Sequence, residues 1–262
     1  MTRGAQQAAN ADIQAGNGSA RHRGTTTGRG RMAKWIRMRA WIRAQNRIRT
    51  DAWIQAGAIA GVIGPAAFTV AWIEAAFRQP DLPFSAAQIS GLAADNARDP
   101  WLMISAFQLL GGCAIGFGAA LRAGLGGRQA GLSPWLIQLA GVLTIAAGLL
   151  RRDHVLLTAG PESWHNQAHD VISAVAYVLL IAAPLLLARR FRRNRQWSRL
   201  AAPLVAAAVA ATALLAAVYA APHESWAATL QRIGVSLPLA AIVAVAIRLT
   251  RQTEVPLGAD LT

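Results

Sequence analysis

The chain has 262 residues and a formal net charge of +14, with 54% hydrophobic and 15% charged side chains. A soluble domain carries about 25% charged residues, and here the apolar residues run in long blocks, which excludes an ordinary soluble enzyme and points to spanning helices. The positive charge is concentrated in the N-terminal segment and one later connection, which argues against a nucleic-acid-binding domain and for membrane topology and an anionic lipid surface.

Residues 1–32 are rich in Gly, Ala, Thr, Gln and Arg, with few large apolar side chains. Such a segment buries too little surface to offset its ordering entropy, so a disordered tail is expected. No short apolar core with a cleavage site marks a signal peptide, and Met32 offers an alternative start. Over 33–53 the pattern changes. Trp35, Met38, Trp41, Ile42 and Ile48 recur at helical spacing, and Arg39, Arg43 and Arg47 form a ladder on another face. The segment reads as a basic amphipathic helix lying on an anionic inner leaflet. A solvated basic linker that only enforces topology is the alternative.

Six apolar blocks follow, near 54–77, 101–121, 135–151, 167–188, 200–221 and 229–248. Each approaches the ~20 residues that cross a bilayer. The fold class expected is all-α: a polytopic membrane protein with six transmembrane helices over 54–250, after the basic N-terminal helix. Gly57–Gly61 and Gly112–Gly116 are small-xxx-small pairs that permit close helix approach. The single cysteine, Cys113, allows no intrachain disulfide.

Lys and Arg set the orientation. The N-terminal segment, the second connection (Arg122, Arg128), the fourth (Arg189, Arg190, Arg192, Arg193, Arg195, Arg199) and the C-terminal end (Arg248, Arg251) hold most of the 26 basic residues. The positive-inside rule makes this side cytoplasmic. A multi-pass protein of the cell membrane is expected, with both termini, including the 251–262 tail, in the cytoplasm. Trp72, Trp101, Trp164 and Trp226 then fall near the outer interface, and Trp53, Trp135 and Trp197 near the inner one.

The polar chemistry gathers at the outer face. Asp153, Glu162, Asp170 and Glu224 lie there, with His154, His165, His169 and His223. Glu74 precedes Arg78 by four residues, the favourable order for a helical ion pair. His165 and His169 are also four apart, one turn along a helix. Three readings of this pair stand. The first is a divalent metal, zinc foremost, held by His165, His169 and Asp153. The second is a titrating or ligand-contacting pair without metal. The third is structural, with both imidazoles bonded to the neighbouring loop. Asn166 stands where a zincin would carry glutamate, so that signature fails.

The order of motifs resembles a known family. Glu74-Ala-Ala-Phe-Arg78-Gln-Pro80 leads to Phe84-Ser-Ala-Ala-Gln-Ile-Ser90 and then Trp101; Asp153 follows the third block, and His165-xxx-His169 opens the fourth. This resembles the bacterial six-span family catalogued as domain of unknown function 998, over roughly residues 54–250. In that pattern Arg78 and Ser90 match. Gln88 stands near where a histidine is usual, and Arg151–Arg152 replace a Phe-Pro step. The resemblance implies fold and membrane location, strengthens Glu74, Ser90, Asp153, His165 and His169 as a cluster, and implies no activity.

The function expected is an integral membrane protein whose polar outer-leaflet pocket takes a small ligand, lipid headgroup or ion. Glu74, Arg78, Ser90, Asp153, His165, His169 and Asp170 are its candidate residues. A metal-dependent membrane hydrolase acting on a lipid is one alternative. A secondary transporter is another, although almost no titratable group falls at the bilayer midplane. Asp153 is expected close to at least one of the two histidines.

Overall fold

The structure, a computed structural model, describes residues 26–80, 82–157 and 161–253, without the side chains of 26–37, 40, 42–49, 128, 129 and 253. Six α-helices occur among these residues: α1 Thr26–Arg78, α2 Pro100–Gly124, α3 Ser133–Leu149, α4 Trp164–Phe191, α5 Ser198–Ala220 and α6 Ala227–Thr253. Two short 3₁₀ turns, Ser90–Ala93 and Gly127–Ala130, complete the regular structure. Among the described residues the chain is all-helical, as expected.

Two units divide the chain, Met1–Asp51 and Ala52–Thr262. In the first, helix starts at Thr26, inside the segment expected to be a disordered tail; residues 1–25 lie outside those described. Met38, Arg39 and Trp41 are all exposed, so the unit itself leaves apolar and basic side chains uncovered. The side chains of Arg43 and Arg47, and residues 254–262 of the expected C-terminal tail, lie outside the described set.

The second unit carries the apolar helices. Five stretches are long and apolar enough to cross a membrane: Thr50–Arg78, Pro100–Gly124, Trp164–Phe191, Ser198–Ala220 and Ala227–Gln252. The expected third span is the shorter apolar helix, with 17 residues. At about 1.5 Å per residue it reaches about 25 Å, against about 30 Å of hydrocarbon. The block had been expected to run to 151. It stops at Leu149, before the two arginines Arg151 and Arg152.

Local sequence explains the helix starts. Asp99-Pro100 opens α2 and Ser133-Pro134 opens α3, each with proline in the first turn, where no backbone donor is lost. Ser163 is extended at φ −65°, ψ 160° and caps α4 by accepting the Asn166 N–H at 3.2 Å.

Successive helices pack on one another from α2 to α6, and α6 also touches α2 and α4. Small residues set the spacing. A Cβ on Gly111 would lie 2.5 Å from the Gly141 carbonyl oxygen, so α2 and α3 meet backbone to backbone there. Gly57 and Gly61 of α1 likewise face Ala120 and Phe117 of α2. Of the Gly112–Gly116 pair, Gly116 is closely approached by α1, its carbonyl oxygen lying 2.9 Å from where a Cβ on Gly57 would stand, whereas a Cβ on Gly112 would meet nothing within 4 Å.

Two apolar cores fill the bundle. One gathers Phe117, Leu187, Phe191, Trp197, Leu204 and Leu249; the other gathers Phe68, Met103, Phe107, Val155, Leu215 and Val235. Trp197, expected in an interfacial belt, is instead buried and stacked on Phe191 with centroids 4.6 Å apart. The outward surface remains apolar: Val70, Phe77, Trp101, Leu149, Val171, Val178 and Val209 are all exposed. So much uncovered apolar surface around small packed residues suits a lipid solvent.

The two ends of the bundle differ. The 125–132 and 192–197 connections share one end with the end of α6, where Arg248 donates to the Gln196 carbonyl at 3.1 Å. The 79–99, 150–163 and 221–226 connections share the other, loop-rich end. There the Asp95 N–H donates to the Arg152 carbonyl at 3.0 Å, and the Ile89 N–H donates to Gln231 Oε1 at 2.9 Å. Ile89, Leu92 and Ala94 are fully buried, so the first connection plugs the bundle rather than lying over it.

Candidate functional site

The candidate residues all reach the loop-rich end, but they do not form one site. Glu74 and Arg78 make the expected ion pair at 2.8 Å, and Arg78 also reaches Asp99 at 3.3 Å. Both side chains are half exposed. Such a bridge on the flank contributes little by itself, and it lines none of the cavities described below.

The second group stands in front of α4. Asp153 accepts the Ser163 N–H at 2.8 Å and the Ser163 hydroxyl at 2.6 Å. These bonds to Ser163 hold the Asp153 carboxyl below its ordinary range, with the nearby His165 and His154 adding to the effect. His165 Nε2 lies 3.6 Å from Asp153 Oδ1, so the expected approach of Asp153 to a histidine is met by His165. His165 Nδ1 is 2.9 Å from the Arg151 carbonyl oxygen, which only accepts; Nδ1 is therefore the donor. In neutral imidazole the Nε2 lone pair then faces the carboxylates. Asp95 joins them, and ligand atoms of Asp95, Asp153 and His165 all lie within 4.8 Å of one another.

This donor set fits a divalent cation in several respects. Two ligands of tetrahedral zinc stand about 3.4 Å apart at metal–ligand distances of ~2.0–2.2 Å, close to the observed Nε2–Oδ1 separation. Each ligand is also oriented from outside, as metal ligands are. Against this, Arg151 pairs with Asp95 at 2.9 Å and supplies a positive charge at the same place.

His169 does not belong to this set. It is 1% exposed, and its Nδ1 lies 2.8 Å from the Ala147 carbonyl and 2.7 Å from that of Leu150. Its Nε2 is 3.2 Å from Ser173 Oγ. The imidazole thus satisfies the carbonyls left over where α3 ends. The expected set of His165, His169 and Asp153 is therefore not brought together: His165 stands with Asp95 and Asp153, while the neighbouring carbonyls take His169.

The third group surrounds a cavity of about 280 Å³ among α4, α5, α6 and the connections. Ser90 and Asp170 line it with Gln88, Arg152, Ser173, Tyr177, Tyr219 and Gln231. The Arg152 side chain is 5% exposed and lies 3.7 Å from Asp170 Oδ2. It donates to Gln88 Oε1 at 3.1 Å, and Gln231 donates to the same oxygen at 3.3 Å. Asn166 links the cavity to the second group: its Oδ1 accepts the Asp153 N–H at 3.1 Å and lies 3.5 Å from Arg152 Nε.

Sequence reasoning missed Arg152, Gln231 and both tyrosines as cavity residues, Asp95 as a cluster member, and Arg232. Gln231 and Arg232 could have been found as polar residues opening an apolar block, where such residues need a partner. Arg232 is 4% exposed, donates to the Ala87 carbonyl at 2.8 Å and lies over the Phe84 and Trp72 rings. Its Nε has no partner among the described residues.

Apolar helices of spanning length and an apolar outer surface define a multi-pass α-helical membrane protein. Within that class, the chain belongs to the family described as protein of unknown function (DUF998), which it matches over residues 62–248. No curated protein and no solved structure matches it.

Proposed function

We propose that this protein is a membrane-embedded binding protein whose cavity at the loop-rich end holds a small polar ligand or lipid headgroup. On this reading the loop-rich end faces outward in the cell membrane, both termini are cytoplasmic, and Arg39, Arg43 and Arg47 rest on the anionic inner leaflet. One observation carries the binding role: a cavity of about 280 Å³ built around a nearly buried arginine. A charge kept out of water is costly unless paired and hydrogen-bonded. Arg152 meets one carboxylate at 3.7 Å, longer than a direct hydrogen bond. A polar guest completes its coordination.

The test is extraction of purified protein followed by mass spectrometry. A polar molecule retained in stoichiometric amount, and lost when Val218→Phe narrows the cavity, is the expected result. Nothing polar retained, with the variant indistinguishable, overturns it.

A second reading has its own support. Asp95, Asp153 and His165 present one imidazole and two carboxylates, the donor types of a hydrolytic zinc site. A metal-dependent hydrolase acting on a lipid requires stoichiometric zinc that disappears in His165→Ala. Metal-free wild type removes this reading and leaves the first standing.

A further inference from the structure

The cavity sets groups that seek an anion beside groups that seek a cation. On one side, Arg152 offers more N–H donors than Gln88, Asn166 and Asp170 accept. Gln88 spends its oxygen on Arg152 and Gln231, and its amide N–H groups have no partner among the described residues. On the other side stand Asp170 and, exposed at the rim, Glu162. The chain has two tyrosines, Tyr177 and Tyr219, and both line this cavity. A tyrosine offers an ammonium group both a hydroxyl oxygen and a ring face. Leu157, Leu215, Val218 and Pro222 give the remaining wall an apolar character.

Charge balance narrows the guest. A simple anion on Arg152 would sit within reach of Asp170, whose carboxylate repels it. A simple cation on Asp170 would face Arg152, which its buried position holds in place. Either adds a like charge where desolvation makes repulsion strong. A molecule carrying both charges adds none. It gives each wall its partner and enters between two groups that are near but not tightly bonded.

Resting on the binding reading above, we propose that the ligand is a zwitterionic phosphodiester of ethanolamine. Its phosphate lies on Arg152 and the Gln88 amide, and its ammonium on Asp170 with Tyr177 and Tyr219. Phosphate on a guanidinium is the stronger, charge-assisted contact and anchors the molecule. Two methylenes separate the two charges, which suits partners as close as Arg152 and Asp170. The same chemistry occurs free in solution, as glycerophosphoethanolamine, and as the headgroup of a membrane lipid, and the apolar wall would take the acyl-linked end of the latter.

Calorimetric titration of the maltoside-solubilised full chain tests this. The probes are short-chain phosphatidylethanolamine, free glycerophosphoethanolamine and short-chain phosphatidylglycerol. Phosphatidylethanolamine should bind at least tenfold more tightly than phosphatidylglycerol. Asp170→Asn should narrow or reverse that ratio, and Arg152→Gln should lose both lipids. Should Arg152→Gln fail to fold, as judged by gel filtration, the ratio in Asp170→Asn decides. Free glycerophosphoethanolamine binding as well as the lipid assigns a soluble source; binding of the lipid alone assigns the headgroup. Equal affinity for both lipids, unchanged in Asp170→Asn, overturns the zwitterion. So does failure of all three probes while extraction still yields another polar ligand that Val218→Phe displaces, and then the binding role survives. Failure of the probes with nothing retained removes both.

Discussion

His169 in α4 donates from Nδ1 to the carbonyl of Ala147, 2.8 Å away in the last turn of α3, with the Leu150 carbonyl at 2.7 Å. One imidazole therefore holds two neighbouring helices together at the point where the shorter one stops. His169→Ala leaves buried carbonyls unpaired and should cost about 1–3 kcal/mol. Denaturant unfolding in micelles measures this. The same variant should leave any zinc content unchanged, because His165, not His169, faces Asp95 and Asp153.

Asp153 and Ser163 tie the third connection to the start of α4. Hydrogen bonds from Ser163 lower the Asp153 pKa in the folded chain. A depressed carboxyl contributes stability that is fully present above its unfolded pKa and is lost as pH falls through the folded one. The cap should therefore persist below the ordinary carboxylate range and fail only in stronger acid. In Ser163→Ala the Asp153 titration should move up, toward the ordinary value. Carboxyl resonances followed by NMR against pH report this, and an unchanged midpoint would refute the assignment.

Gly111 and Gly141 bring α2 and α3 into backbone contact. Gly141→Val adds atoms where a Cβ already lies 2.6 Å from the Gly111 carbonyl oxygen. Overpacking of this kind costs about 1–3 kcal/mol. Gly112→Ala is the control, because its Cβ meets nothing within 4 Å. Thermal unfolding should separate the two variants clearly.

Orientation is tested by labelling. Cys113→Ala with Pro161→Cys places a single thiol on the third connection, at an exposed position. An impermeant thiol reagent should label it on intact cells. Reaction only after lysis reverses the topology.

The basic segment is tested as a peptide. A 33–53 peptide should prefer anionic to neutral vesicles. Neutralising Arg39, Arg43 and Arg47 should remove at most about 3 kcal/mol of that preference, from roughly 1 kcal/mol per charge. Equal binding to both kinds of vesicle refutes the electrostatic account.

The sequence by itself determined the helical class and the positions of the apolar helices. Long apolar blocks, prolines at helix starts and arginine-rich connections act locally or through composition, so they are legible along the chain. It also brought Asp153 to the start of α4, near at least one of the two histidines, because a short connection leaves little freedom between the end of α3 and the cap of α4. The tertiary structure decided the rest. His165 and His169 look equivalent in sequence, yet one faces carboxylates and the other faces the carbonyls left over at the end of α3. That difference depends on which neighbour packs against each side of α4. Arg152, Gln88, Gln231, Tyr177 and Tyr219 are far apart in sequence and share no motif. They meet because the first connection folds into the end of the bundle and buries Ile89 and Leu92. The energy of that burial comes from long-range apolar contacts, which no local spacing records.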